Sequence, residues 1–125
     1  MSKKIRIAIL GLGDVGETFV THLLEKIQVG KKPVEIVAVA DPDPESPVAL
    51  GFIQNNVPMF TDYLEVARLG DQVDVIFDLT DDPQMYQKMR LELLEHKNRH
   101  TVIASEDIAR LLWYFFDEPG DLPGK

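Results

Sequence analysis

Short apolar runs of strand type alternate with helix-type stretches along almost the whole of this chain, and that alternation permits few folds. Ile5–Leu10 (IRIAIL) is a compact run rich in isoleucine that ends at a glycine, the pattern of a strand buried on both faces. Val34–Ala40 (VEIVAVA) reads the same way. Between them Val15, Phe19, Leu23 and Ile27 form one stripe of a helix that stops near Gly30 and Pro33. The DPDPESP segment after Ala40 is a loop, because proline bars the residue before it from helical geometry. A short helix is expected over Val48–Gln54, a brief third strand over Pro58–Phe60, and a helix over Asp62–Leu69. Val73–Leu79 is the fourth strand. Asp82 is placed to cap the next helix, with Pro83 at the first helical position and Tyr86, Met89, Leu93 and Leu94 on its inward face. Thr101–Ala104 is the fifth strand, and Ser105 stands where it can cap the last helix. Strands joined in this order by helices pair in parallel through right-handed crossovers. The expected architecture is therefore one α/β domain, a doubly wound parallel sheet of about five strands over residues 1–116. The remainder, 117–125 (DEPGDLPGK), reads as a tail or the start of a linker.

Length and charge narrow the function. At 125 residues the chain forms one domain with a real core. Its formal charge of −8 argues against nucleic acid or an anionic membrane as partner, since both demand a basic surface. With no cysteine there is no disulfide, no zinc–thiolate site and no thiol nucleophile. The apolar run at the N-terminus is too short for a signal peptide core or a membrane span, so a cytoplasmic location is expected.

In a doubly wound sheet the ligand lies at the carboxyl ends of the strands, where strand order reverses. After the first strand comes GLGDVG, with Gly11, Gly13 and Gly16 separated by Leu12, Asp14 and Val15. The first glycine permits a tight turn, the second lets the backbone approach a pyrophosphate, and the third lets helix and strand pack closely. The helix that begins there offers unpaired N–H groups and a partial positive charge to an anion. Asp14, at the start of that helix, is expected to point to solvent. This strand–glycine loop–helix unit is the mark of a dinucleotide-binding domain of Rossmann type. Asp41, followed by Pro42, ends the second strand, and a carboxylate there accepts bonds from both hydroxyls of an adenosine ribose. With Asp43 and Glu45 beside it and no arginine near in sequence, it repels a 2′-phosphate, so NAD is expected over NADP. The loop after the fourth strand, DLTDDP, should pass the nicotinamide end; Leu79, Thr80 and Pro83 are its candidate contacts, with Thr80 offered to a ribose or phosphate oxygen. Its carboxylates Asp78, Asp81 and Asp82 lack a nearby histidine, so no metal site is expected. His22, His96 and His100 read as structural or solvated.

Taken together, GLGDVG, VAVADPDP, VDVIFDLTDDP and HTVIASEDIA resemble the N-terminal half of NAD(P)-dependent dehydrogenases of the glucose–fructose oxidoreductase and inositol dehydrogenase family. Homoserine dehydrogenase, aspartate dehydrogenase and dihydrodipicolinate reductase are its relatives. The likeness runs to about Ala109 and implies a cofactor domain followed by a second domain that carries substrate and most catalytic groups. The sequence departs from that pattern at Glu106, which falls where the family places a lysine, between Ser105 and Asp107. A glutamate supplies no cation, so no catalytic residue is carried over; Glu106 is kept as a cofactor contact.

The last helix is oily: Leu111 to Phe116 are six apolar residues in a row. A helix on a sheet buries one stripe, so about half of these need another surface. Leu112, Trp113, Phe115 and Phe116 are expected to meet a second copy of the chain or a downstream domain. The reading favoured by these observations is an NAD(H)-binding module without its own catalytic domain, a regulator or sensor. The cofactor-binding half of an NAD-dependent oxidoreductase and a degenerate protein-binding scaffold are the alternatives.

Overall fold

The computed structural model describes residues 3–116 and 120–123. Five parallel strands form one sheet: β1 (Ile5–Leu10), β2 (Val34–Ala40), β3 (Met59–Phe60), β4 (Val75–Asp78) and β5 (Val102–Ala104). Their order is β3-β2-β1-β4-β5, so the chain moves outward on one side of β1 and then returns to its other side. Because β1 is central, its last four residues, Ile7 to Leu10, are buried by two layers. On one face lie α1 (Asp14–Gly30), α2 (Pro47–Gln54) and α4 (Glu106–Tyr114), whose Phe19, Phe52 and Trp113 meet Ile7, Ile9 and Phe77 of the sheet. On the other lie α3 (Met85–Glu95) and the 3₁₀ segment Tyr63–Gln72, whose Met89 and Val66 pack with Ala8, Leu10 and Ile76. Side chains alternate between faces along each strand, so one run of apolar residues serves both cores.

Local chemistry sets most boundaries. α1 ends as Lys31 turns to the left-handed φ of 50°, and the N–H of Lys32 reaches back to the carbonyl of Ile27. Ser46 caps α2 through the N–H of Ala49, ahead of Pro47. Several expectations need correction. α3 begins at Met85 rather than at Pro83, because the Asp82 carboxylate caps an isolated turn through the N–H of Gln84. On α3, Tyr86 and Leu94 face solvent and Met85 takes the inward place, since 85, 89 and 93 make the true stripe. The segment after β3 is a 3₁₀ stretch interrupted at Gly70, not an α-helix. Ser105 occupies the cap position of α4 without a side-chain bond.

The last helix answers part of its own excess of oil. Of the four residues expected to seek a partner, Trp113 is buried, Leu112 and Phe116 pack on the core, and Phe115 alone is exposed. Trp113 lies edge-on to His22 of α1, and Phe116 stacks on Phe19. Of the stretch expected as tail or linker, 117–119 and 124–125 lie outside the described residues. Residues 120–123 lie against α4: Leu122 is only 2% exposed, and Arg110 donates to the carbonyls of Leu122 and Pro123. What remains outward is Ile108, Leu111, Tyr114 and Phe115.

At the opposite end of the sheet from the glycine loop, Asp74 is the one buried charged residue among those described. Its carboxylate accepts from the backbone N–H and the guanidinium of Arg6 and meets His100. The same residue's backbone bonds Arg6 and Val102, so β1, β4 and β5 are tied together there. The Arg6 side chain foremost, then its N–H and His100, hold the Asp74 carboxyl far below its ordinary value. A depressed pKa contributes stability that is complete above the unfolded value and fades as pH falls below it. Asp74→Asn should therefore lower the denaturant midpoint at pH 7, with the gap to the parent narrowing steadily below about pH 4. Urea titrations from pH 7 to pH 2 measure it; a gap independent of pH removes the ion pair from the stability of the fold.

Candidate functional site

The loops leaving β1, β2 and β4 converge with the head of α4 on the point where strand order reverses. A cavity of about 420 Å³ lies there, lined by Gly11, Gly13, Asp14, Val15, Asp41, Tyr63, Leu79, Thr80, Asp81 and Glu106. A larger apolar groove of about 540 Å³ runs between α1, β2 and α2, but its only charged lining residue is Glu35. Binding sites pair apolar walls with several convergent polar groups, which favours the first cavity.

The three glycines have separate physical reasons. Gly11 has φ +96°, and a Cβ on it would stand 2.6 Å from the carbonyl oxygen of Leu79. A Cβ on Gly16 would stand 1.8 Å from the carbonyl oxygen of Gly11, so α1 can start directly against the turn only without a side chain. Gly13 differs. Its φ of −73° suits any residue and nothing lies within 4 Å of a Cβ placed on it. It also occupies the N-cap of α1, where Ser, Asp or Asn would bond the free helix N–H groups and glycine cannot. No contact within the chain requires glycine at this position.

Asp41 reaches across to the same loop. One carboxylate oxygen accepts the N–H of Leu12 at 2.8 Å and the other the N–H of Asp43 at 2.9 Å. A carboxylate has about four acceptor positions, so two remain for hydroxyl donors. Leu12 otherwise serves the core, its side chain buried. Leu79 is also buried and lines the cavity beside the Gly11 turn. Thr80 donates its hydroxyl to Asp78 at 2.7 Å and accepts the N–H of Asp82 at 3.2 Å. Engaged in this way, the hydroxyl keeps one acceptor position, which suits a ribose hydroxyl. Asp14 is exposed at the rim, and Val15 is partly buried beside it. Glu106 is held by Arg110, whose Nε and Nη2 each lie 2.9 Å from one carboxylate oxygen. Pro83 lines an adjoining cavity of about 400 Å³ with Asp78, Asp81, Asp82, Ser105, Glu106 and Asp107. Pro42 is exposed and lines neither.

Two lining residues, Tyr63 and Asp81, were not among the expected cofactor contacts. Tyr63 follows the short β3, and its hydroxyl is raised above the ordinary value by burial first, then by Asp41, Asp78 and Asp82. Its place one loop beyond β3, at the same carboxyl edge as Asp41, is the signal in the sequence, obscured by the helix expected over 62–69. Asp81 takes a left-handed φ of 58°, a conformation aspartate tolerates better than most residues. Among the described residues no cation lines either cavity; Arg110 and Lys88 reach the lining only through their ion pairs with Glu106 and Asp82. Among the described residues no group of three or more His, Asp or Glu is arranged to hold a metal ion, and no helix is long and apolar enough to cross a membrane.

No protein-family model matches the sequence, and no curated protein matches it either. Solved structures do match the fold. Homoserine dehydrogenase from S. aureus superposes over 93% of this chain with a TM-score of 0.59 and 24% identity. Apo scyllo-inositol dehydrogenase from Lactobacillus casei does so over 82% with a TM-score of 0.58 and 22% identity. The form of that enzyme solved with bound NAD(H) and scyllo-inositol covers 91% at 0.56 and 17%. This chain spans only 28%, 30% and 34% of the apo inositol enzyme, the homoserine enzyme and the NAD(H)-bound form. The likeness establishes the Rossmann-type doubly wound fold.

The glycine geometry separates two variants by stability alone. Gly16→Ala should cost several kcal/mol, as overpacking against backbone does, or fail to give soluble protein. Gly13→Ala should cost about 1 kcal/mol or less, a cap effect only. Denaturant midpoints compare them, and equal losses would mean that the loop is not packed as described.

Proposed function

We propose that this chain is a dinucleotide-binding module that takes NAD(H) in preference to NADP(H) and carries no catalytic group of its own. The observation that carries the reading is Gly13. It leaves open space and uncapped helix N–H groups at the cavity, for which the protein's own packing gives no reason and a pyrophosphate does. Asp41, with two acceptor positions left, faces the same space as the partner of the adenosine ribose, and Gly11, Leu12, Asp14, Val15 and Gly16 form the phosphate turn. Leu79, Thr80 and Glu106 lie on the nicotinamide side, with Pro42 and Pro83 at the margins. Asp43 and Glu45 beside Asp41, and the lack of a lining cation, disfavour a 2′-phosphate.

Such a dinucleotide supplies hydride chemistry at its ring. This chain's residues are suited to binding and orienting it, because Glu106 is locked to Arg110 where an enzyme of this kind would present a cation. A module of this type would report nucleotide state to a partner. The alternative, the cofactor-holding portion of a longer oxidoreductase, draws support from how small a share of the matching dehydrogenases this chain spans. The outward stripe Ile108, Leu111 and Phe115 suits either a second copy of the chain or a further domain.

Titration with NADH, followed by nicotinamide fluorescence and compared with NADPH, tests the binding. NADH should saturate at lower concentration. Gly13→Ala should weaken it without unfolding the domain. Asp41→Asn keeps an acceptor for Leu12 but loses the charge, and should weaken NADH roughly tenfold or more while narrowing its lead over NADPH. An unchanged preference takes Asp41 out of the site, and absence of binding at millimolar ligand leaves a protein-binding scaffold. For the helix face, sedimentation of the parent and of Leu111→Glu should show a dimer that the substitution dissociates. A parent that is monomeric at every concentration assigns the face to a further domain.

A further inference from the structure

If the dinucleotide lies as proposed, its two ends meet different fields. Asp41 belongs to the β2 side and takes the adenosine end; the pyrophosphate sits on Gly13; the nicotinamide then lies toward the loops after β4 and β5. That end is acidic. Asp78, Asp81, Asp82, Glu106 and Asp107 surround the adjoining cavity, which shares Asp81 and Glu106 with the main one. They come from two places, the end of β4 with the loop that follows it and the first turn of α4. Two cations answer them: Lys88 at 3.7 Å from Asp82, and Arg110 on Glu106. Asp78 is occupied by the N–H and hydroxyl of Thr80, which disperse its charge without cancelling it. Asp81 and Asp107 have neither an ion pair nor a side-chain hydrogen bond among the described residues. Five carboxylates against two cations leave a net charge of about −3 around the place where the ring would rest.

We infer that the site discriminates the redox form of its ligand and prefers the oxidised dinucleotide, NAD⁺, over NADH. The two forms share adenosine, riboses and pyrophosphate and differ at one ring. The oxidised ring is a pyridinium carrying a full positive charge, whereas the dihydropyridine is neutral. Every term common to both ligands, including repulsion between these acids and the pyrophosphate, cancels in the ratio of their affinities. What remains is the attraction of one cation to the local field. A ring resting in the main cavity would lie against Asp81 and Glu106, which line both cavities, at contact range well inside the Debye length of ~8 Å at physiological salt, so that attraction survives partial screening. For a net field of a few charges at a partly solvated site it amounts to a preference on the order of tenfold. A module with that preference would respond to the ratio of the two forms rather than to their sum.

The experiment measures three affinities on the whole chain by calorimetry, for NAD⁺, NADH and ADP-ribose, at about 20 mM and about 500 mM salt. NAD⁺ should bind about tenfold tighter than NADH at low salt, with the ratio falling toward one at high salt. Asp81→Asn combined with Asp107→Asn should narrow the ratio severalfold while tightening ADP-ribose, which lacks the nicotinamide and feels only the repulsion. Both substitutions suit their positions, since asparagine accepts left-handed φ and Asp107 is exposed in the first turn of α4. Tightened ADP-ribose also certifies that the variant is folded. NADH binding as tightly as NAD⁺, or a ratio indifferent to the double substitution, overturns the redox preference and leaves the dinucleotide reading intact. Failure of all three ligands overturns that reading and this inference with it.

Discussion

The whole carboxyl edge of the sheet, where the cavity lies, depends on one close approach, that of Gly16 to the carbonyl of Gly11. α1 begins immediately against the turn that ends β1, and there is no space for even a methyl group between them. That contact fixes the axis of α1 and so aims its first N–H groups across the carboxyl edge of the sheet. Gly11 itself takes positive φ and lies directly against the backbone of Leu79, at the end of β4. Asp41 then clamps the same loop from the β2 side through Leu12. Two backbone strictures and one carboxylate make the cavity, and the remaining lining residues follow from where their strands end.

Most of the sheet was legible because buried parallel strands leave near-continuous apolar runs. IRIAIL and VEIVAVA declare themselves, and the β1–α1 unit carries its own punctuation in GLGDVG. What the sequence concealed has physical causes. Tyr86 and Met85 are both large and apolar enough to face a core, and a shift of one residue decides between them. The start of α3 slipped because Asp82 and Pro83 make as good a turn as they make a cap. Tyr63 stayed hidden because a 3₁₀ segment has no stripe of period 3.6 to read. The fate of the last helix depended on residues 120–123, whose Leu122 fills part of the space that Trp113 and its neighbours were expected to offer a partner. No pattern in DEPGDLPGK announces that.

The acids are unevenly spent. Asp74 is buried, fully bonded and holds three strands together at the end away from the ligand. Asp41 and Asp78 are tied into loops by backbone N–H groups. Glu106 and Asp82 are matched by Arg110 and Lys88. Asp81 and Asp107, which have no such partner among the described residues, lie together at one end of the cleft.

Trp113 is the only tryptophan of the chain. Its indole N–H donates to the carbonyl of Gly120, and its ring meets His22 edge-on. Two turns earlier on the same helix sits Glu106, at the wall of the cleft, joined to Arg110, which in turn grips the carbonyls of Leu122 and Pro123. The molecule thus has a single indole, buried at the junction of α4, α1 and the returning chain. Its emission is an internal gauge of whether that junction is closed, needing no label and free of interference from a second indole.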